Sequence, residues 1–272
     1  WTCPAGVTSI QVECWGGGGA GGGARGNPSA GGGGAGGSYV KNTSISVIPG
    51  TTYTVTVAAA VNGTTNNGAN GNDSWFNSAA TIMAKGGLGG PRANSNNQTA
   101  AGAAKITSGN VGFEAPFSYY GGAGGTGGAF GASGGGGGSS AGTGSDGNNA
   151  PGMTGGAAVT GGGAGVDGST SSADGPDNTN IGGGGAGARA GSATDRSGGN
   201  GGPGQIIITY NNCPASTAIT PVAAQSVCIG ASANTLTANV TLSGGQGSPS
   251  VLYQWYYNTS NTNNIGTATL IG

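Results

Sequence analysis

The sequence contains no histidine, and only 6% of its 272 residues are charged. Without an imidazole there is no Ser-His-Asp triad, no histidine general base and no histidine-ligated zinc. Seven basic residues are scattered along the chain against eight acidic ones, for a net charge of −1. That balance leaves no electrostatic footprint for nucleic acid and excludes it as a partner. No apolar run approaches the roughly 20 residues of a membrane-spanning helix, so no transmembrane segment is expected. Gly-x-Gly-x-x-Gly recurs, but 67 residues are glycine and chance alone supplies the pattern. No Gly-Lys-Ser/Thr follows any of these runs, so no phosphate loop and no cofactor is expected. Ser38 and Lys41 have the Ser-x-x-Lys spacing of penicillin-recognising enzymes. That chemistry needs one helix face, whereas this stretch alternates as a strand, so the chain reads as a non-enzyme.

What is present is glycine, interleaved with segments rich in Ile, Val, Thr and Tyr. Collagen would need glycine at every third position and abundant proline, and there are only 11 prolines. Residues 7–15 alternate, with Ile10, Val12 and Cys14 on one side and Ser9, Gln11 and Glu13 on the other, which predicts a half-buried strand. Residues 38–48 predict a second strand, Pro49-Gly50 a turn, and 51–57 a third strand with Tyr53, Val55 and Val57 on one face, the whole reading as a hairpin. Short strands are expected near 73–77, 79–85 and 104–107. Gly204-Gln-Ile-Ile-Ile-Thr-Tyr210 predicts a closing strand.

Between these lie the glycine tracts. From Gly16 to Gly37, 14 of 22 residues are glycine, and from Gly121 to Gly138, 12 of 18. Similar runs fill 155–165, 182–188 and 198–204. The run 121–129 repeats every three residues, which suits polyproline-II geometry with its three residues per turn. Two states fit such tracts: flexible loops, or polyglycine-II helices packed backbone to backbone, each satisfying its neighbours' amide groups. The bundle is the expectation. From Asn211 the tracts stop. Strand signals at 219–222, 235–242 and 251–257, with Tyr253-Gln-Trp-Tyr-Tyr257, look like the core-Trp strand of an immunoglobulin-like sandwich. Such a domain needs about 100 residues, so the segment reads as the start of one. The fold class is therefore all-β, with a glycine-rich domain of strands and polyglycine insertions over 1–210 and an incomplete immunoglobulin-like domain over 211–272.

Four cysteines, scarce lysine and abundant Asn, Ser and Thr fit a secreted or surface protein in an oxidising compartment; four buried free thiols are the alternative. If the first and last strands of the glycine-rich region pair antiparallel, Cys3 lies near Cys213, and that bridge is preferred. Cys228 would then pair with a cysteine beyond Gly272, and Cys14 would be buried and free. Asp174 and Asp177, with Asn178 and Asn180, form the densest oxygen cluster and are candidate ligands for a hard cation, against the reading of a solvated turn. Phe113, Phe117, Tyr119, Tyr120 and Phe130 form an aromatic group. They read either as a contact surface or as a plug packing the glycine bundle onto the strands. Asn-x-Ser/Thr sequons at Asn42, Asn62, Asn72, Asn97 and Asn258 fit a surface location.

Trp1-Thr-Cys-Pro-Ala-Gly-Val-Thr-Ser-Ile-Gln-Val-Glu-Cys-Trp-Gly-Gly-Gly-Gly19 resembles the opening of glycine-rich domains in large secreted proteins of Bacteroidota. The Pro49-Gly50 turn, Ala84-Lys-Gly-Gly87 and the strand 204–210 follow in the same order. The glycine-rich extracellular domain of the anaplastic lymphoma kinase receptor family is similar in plan, and there a TNF-like sandwich carries an inserted polyglycine bundle. Residues 213–272 resemble the immunoglobulin-like repeats of giant surface adhesins, including gliding-motility adhesins exported by the type IX system. The resemblance implies a TNF-like or jelly-roll sandwich with polyglycine-II insertions in the tip region of a cell-surface adhesin. Its partner would be a surface polysaccharide or other cell-surface ligand, or the export and motility machinery of the outer membrane. The alternatives are a structural cap or stalk module without a ligand, and an ice-binding protein.

Overall fold

The computed structural model of the chain describes residues 1–211 and, beyond them, the strands Trp255–Tyr257 and Thr269–Ile271. The chain divides into two compact units, Trp1–Tyr210 and Asn211–Gly272. In the second, the two short strands pair antiparallel with Trp255 opposite Ile271. The strands expected at 219–222 and 235–242, Cys213 with its bridge to Cys3, and Cys228 lie outside the described residues.

The first unit is all-β. Strand β1 (Ser9–Trp15) buries Ile10, Val12 and Cys14 while Gln11 and Glu13 stay half-exposed, as the alternation predicts. The intervening strands in chain order are β2 (Ala24–Ala30), β3 (Tyr39–Ser46), β4 (Val55–Thr56), β5 (Ser74–Phe76), β6 (Ile82–Ala84), β7 (Gln98–Thr99), β8 (Ser118–Tyr119) and β9 (Arg189–Arg196). The last, β10 (Gln205–Thr209), lies antiparallel to β1 with Gln11 opposite Thr209. A four-stranded antiparallel sheet runs β10-β1-β3-β8, and a three-stranded one runs β4-β5-β6. One core joins Val12, Cys14 and Val40 of the first sheet to Phe76 and Ile82 of the second, with Trp1 and Tyr53 packed against it. Tyr53 stacks on Phe76 at 5.4 Å, and Trp1 meets the edge of the same ring at 5.9 Å.

Two sequence expectations need correction. The 38–48 and 51–57 strands do not form a hairpin with each other. After the turn at Pro49-Gly50 the chain crosses to the other sheet, where the Cys3 N–H donates to the Thr51 carbonyl and the Tyr53 N–H to the Trp1 carbonyl. Strand β4 then pairs with β5, and Val57 is 48% exposed instead of sharing the buried face. Alternation located the strand correctly but says nothing of its partner. No strand forms at 104–107, where Lys105 instead reaches out to an ion pair with Asp146.

The glycine tracts are ordered, and their hydrogen bonds have a period of three. The N–H groups of Gly31, Gly34 and Gly37 donate to Ala188, Gly185 and Gly182. Those of Gly32, Ala35 and Ser38 donate to Pro91, Leu88 and Lys85, and those of Gly33 and Gly36 to Gly125 and Gly122. Segment 31–38 in turn accepts from Gly16, Gly19 and Gly22, from Gly135, Gly138 and Ala141, and from Ala103, all at 2.9–3.0 Å or less. It is thus tied to six neighbouring segments, the packing that a helix with three residues per turn and no side chains permits. The close approach is what excludes larger residues. A Cβ on Gly19 would stand 2.0 Å from the Leu88 carbonyl oxygen, whereas Gly17 would meet nothing nearer than 3.2 Å. Ala20, three residues on from Gly17, occupies the roomier side and is fully buried.

The segments act as parallel struts. Segment 16–23 joins β1 to β2, 31–38 joins β2 to β3, 182–188 leads into β9, and 198–204 leads from β9 to β10. At about 3.1 Å per residue, an eight-residue strut separates the sandwich from a small third sheet, β7-β2-β9, by roughly 25 Å. Neither β2 nor β9 shows apolar alternation. They are small-residue strands resting on Ala24, Ala188 and Ala190.

Candidate functional site

The five candidate aromatics do not form one group. Tyr119 stacks on Tyr39 at 6.3 Å with an interplanar angle of 16°, and Tyr39 packs on Trp15 at 4.7 Å. Each of these rings sits where a sandwich strand meets a glycine strut, so they are the plug between the two. Phe117 lies on the sandwich edge beneath the Lys41 ammonium, 5.1 Å from its ring centre. Phe113 is 41% exposed, and Tyr120 is half-buried with its N–H donating to Asp146. Phe130 lies at the other end of the strut 121–127, in a 3-10 turn Ala129–Gly131 beside β2 and β9. It is 77% exposed.

Around the plug the chemistry is quiet. The Tyr39 hydroxyl donates to Glu13 at 2.5 Å, and burial, followed by that bond and the Glu13 charge, raises the phenol well above its ordinary range. Burial first, and Glu13 second, push the Cys14 thiol from 9.0 up to about 12, so it is a free, inert core thiol. Cys3 is buried and its thiol donates to the Val7 carbonyl at 3.2 Å. A shallow groove of about 660 Å³ runs beside the plug, lined by Glu13, Trp15, Thr143, Asn180, Gln205 and Ile207 among others. Glu13 is the carboxylate there, and its Oε1 is held by Tyr39. The groove therefore offers polar contacts.

The acidic residues are structural fasteners. Asp174 accepts the Ser197 N–H at 2.9 Å and Asp177 the Asn200 N–H at 2.8 Å. Asn178 is buried and its amide donates to the Ala164 and Gly184 carbonyls. Each aspartate thus gives one carboxylate oxygen to a main-chain N–H, and no group of three or more Cys, Asp or Glu among the described residues could hold a metal ion. The same device recurs at three-residue spacing. Asn67, Asn70 and Asp73 accept from the N–H groups of Arg92, Gly89 and Gly86, and Asp146 and Asn149 from those of Tyr120 and Ala123. An outermost strut has no further strut to receive its outward amides, and an Asn or Asp side chain takes that place. Sequence reasoning missed these ranks although their spacing is written in the chain. Glu114 serves the sandwich edge similarly: Thr43 donates to it from both hydroxyl and N–H, and these bonds, with Lys41 nearby, hold its carboxyl below the usual range.

The cations, scattered in sequence, are sorted in space. Lys85 pairs with Asp73 at 2.7 Å, and Lys105 pairs with Asp146. All four arginines lie at the far end of the struts: Arg25 on β2, Arg92 just past Pro91, and Arg189 and Arg196 at the two ends of β9.

This architecture defines an all-β, glycine-rich module whose rigid part is made of main chain. The chain belongs to the family described as "Glycine-rich domain", whose model matches residues 1–211. Among curated proteins none matches the chain.

Proposed function

We propose that this region is an adhesive contact module of a long extracellular, cell-surface protein, as the resemblance to surface adhesins implies, with gliding motility as one setting. The observation that supports it is the strut bundle. Its three-way main-chain bonding fixes a small end sheet about 25 Å from the sandwich by the strut arithmetic above, a geometry suited to presenting a surface and not to enclosing a reaction. The groove beside the plug is lined by polar groups such as Thr143, Asn180 and Gln205. Glycine costs more entropy to order than any other residue, so a bundle this dense favours a role in which stiffness itself is used. Among partners, a surface polysaccharide fits best, since polar faces rich in Asn and Thr offer donors and acceptors without net charge.

The test uses the whole chain. Beads coated with the protein are flowed over cellulose, mannan, dextran, polygalacturonate, alginate, and hydrophobic and hydrophilic glass, beside albumin-coated beads. Retention above albumin on at least one surface is expected. Retention no greater than albumin on every surface overturns the adhesive reading and leaves a purely structural module.

A further inference from the structure

We propose that the far end of the struts, built around Arg25, Arg92, Arg196 and Phe130, binds an acidic polysaccharide through its carboxylate groups and sugar faces. The proposal rests on the adhesive reading and gives it a site and a ligand class.

The first observation is charge. The chain carries seven basic residues and a net charge of −1, yet every arginine is at this end and no lysine is on β2, β7 or β9. The carboxylates close by are Asp195 on β9 and Asp174, whose Oδ1 is occupied by the Ser197 N–H. Asp195 is shared: Arg25 Nε lies 3.6 Å from one oxygen and Arg92 Nη2 3.6 Å from the other. Arg92 also donates to Asn66 at 2.8 Å and its side chain is only 15% exposed, so Arg25, 63% exposed, is the more open of the two guanidinium groups.

The second is unmet hydrogen bonding. The Nε–H groups of Arg92 and Arg196 are shielded and have no partner. A buried donor without an acceptor costs free energy, and because each Nε is shielded from solvent, an arriving carboxylate satisfies it only if the arginine side chain shifts outward.

The third is Phe130. It is 77% exposed with a left-handed φ of 52°, a conformation uncommon for a residue with a side chain. The turn is held there by the Arg189 Nε–H, which donates to the Gly131 carbonyl at 2.9 Å. Strain kept at an exposed aromatic marks functional positions. Gly131 packs against Pro28 and Ser29, so Phe130 lies three to five residues along β2 from Arg25, roughly 10–17 Å at strand rise.

An exposed ring takes the apolar C–H face of a pyranose, and a guanidinium fork takes a carboxylate in two parallel bonds. Placed about 10–17 Å apart, they match a polymer that carries both features repeatedly. Nucleic acid would need many more phosphate contacts than four arginines give.

Wild-type chain and the double variant Arg25→Gln/Phe130→Ala are compared on immobilised polygalacturonate and dextran, with near-ultraviolet circular dichroism as the check on fold. Both substituted side chains are exposed, so the fold should persist. Lys41→Gln, on the sandwich, is the control. Expected is wild-type binding to polygalacturonate but not dextran, unchanged in the control and weakened about tenfold or more in the folded double variant. Equal binding by the double variant overturns the site. Wild-type binding only to neutral or other surfaces overturns the ligand class while the adhesive reading stands, and no binding to any surface overturns both.

Discussion

Gly34 and Gly19 sit so close that a Cβ added to Gly34 would stand 2.1 Å from the Gly19 carbonyl oxygen. At Gly144 an added Cβ would meet nothing within 4 Å. Gly34→Ala should therefore destabilise the domain by about 3 kcal/mol, lowering Tm by roughly 2–4 °C per kcal/mol in a domain of this size. Gly144→Ala should leave it within about 0.5 kcal/mol of wild type. Thermal unfolding of the two variants side by side checks this, and equal Tm values would contradict main-chain close packing.

Amide exchange gives a second check. Gly138 is buried and its N–H donates to the Gly34 carbonyl at 2.9 Å, while Gly135 donates to Gly31 at 3.0 Å. Hydrogen–deuterium exchange across 121–138 should be slowed by orders of magnitude, as for amides that open only with the fold. Random-coil rates there would mean that the tracts are loops.

The fastening role of the acidic ranks separates oxygen acceptance from charge. Asp177→Ala removes the acceptor for the Asn200 N–H and should cost about 1 kcal/mol. Asp177→Asn keeps an oxygen in place and should cost about 0.5 kcal/mol or less. Millimolar calcium should leave the wild-type Tm unchanged. A calcium-dependent rise in Tm that Asp177→Ala abolishes would support the cation reading instead.

Alkali should destabilise the domain through its core thiol. With Cys14 pushed from 9.0 to about 12, the unfolded chain releases this proton from about pH 9 while the folded chain keeps it. The unfolded state then binds fewer protons, so stability is intact below pH 9 and falls above it, by up to about 1.4 kcal/mol per pH unit. The raised Tyr39 hydroxyl acts in the same sense at higher pH. Denaturant melts at pH 8 to 11 should show a steeper loss for wild type than for Cys14→Ala, and identical slopes would show that Cys14 does not carry the effect.

How far the sequence reveals this fold depends on which interactions carry side-chain signatures. Strand β1 is legible because Ile10, Val12 and Cys14 alternate with polar residues and fill one core. The period of three in the glycine runs is legible because it is the helix repeat itself. Strands β2 and β9 are not, since Arg25-Gly-Asn-Pro-Ser29 and Ala190-Gly-Ser-Ala-Thr194 bury only small residues and pair through backbone. Tyr53 and Val55 are identified as core, but their crossing to the second sheet depends on Trp1–Cys3, which local pattern does not name as a partner. The ranks Asn67, Asn70 and Asp73 could have been found by asking which residues recur at the strut's own spacing. The arginines look scattered because struts of similar length bring residues 25, 92, 189 and 196 to one level.

The strut 31–38 faces six neighbours in rotation, and this imposes a rule on length. One extra residue within it would turn every later amide by about 120° and aim each at the wrong neighbour, whereas three would restore the aim and only lengthen the shaft. Insertions and deletions in these tracts should be viable only as triplets, so the reach of such a module can change in steps of about 9 Å and by no finer increment.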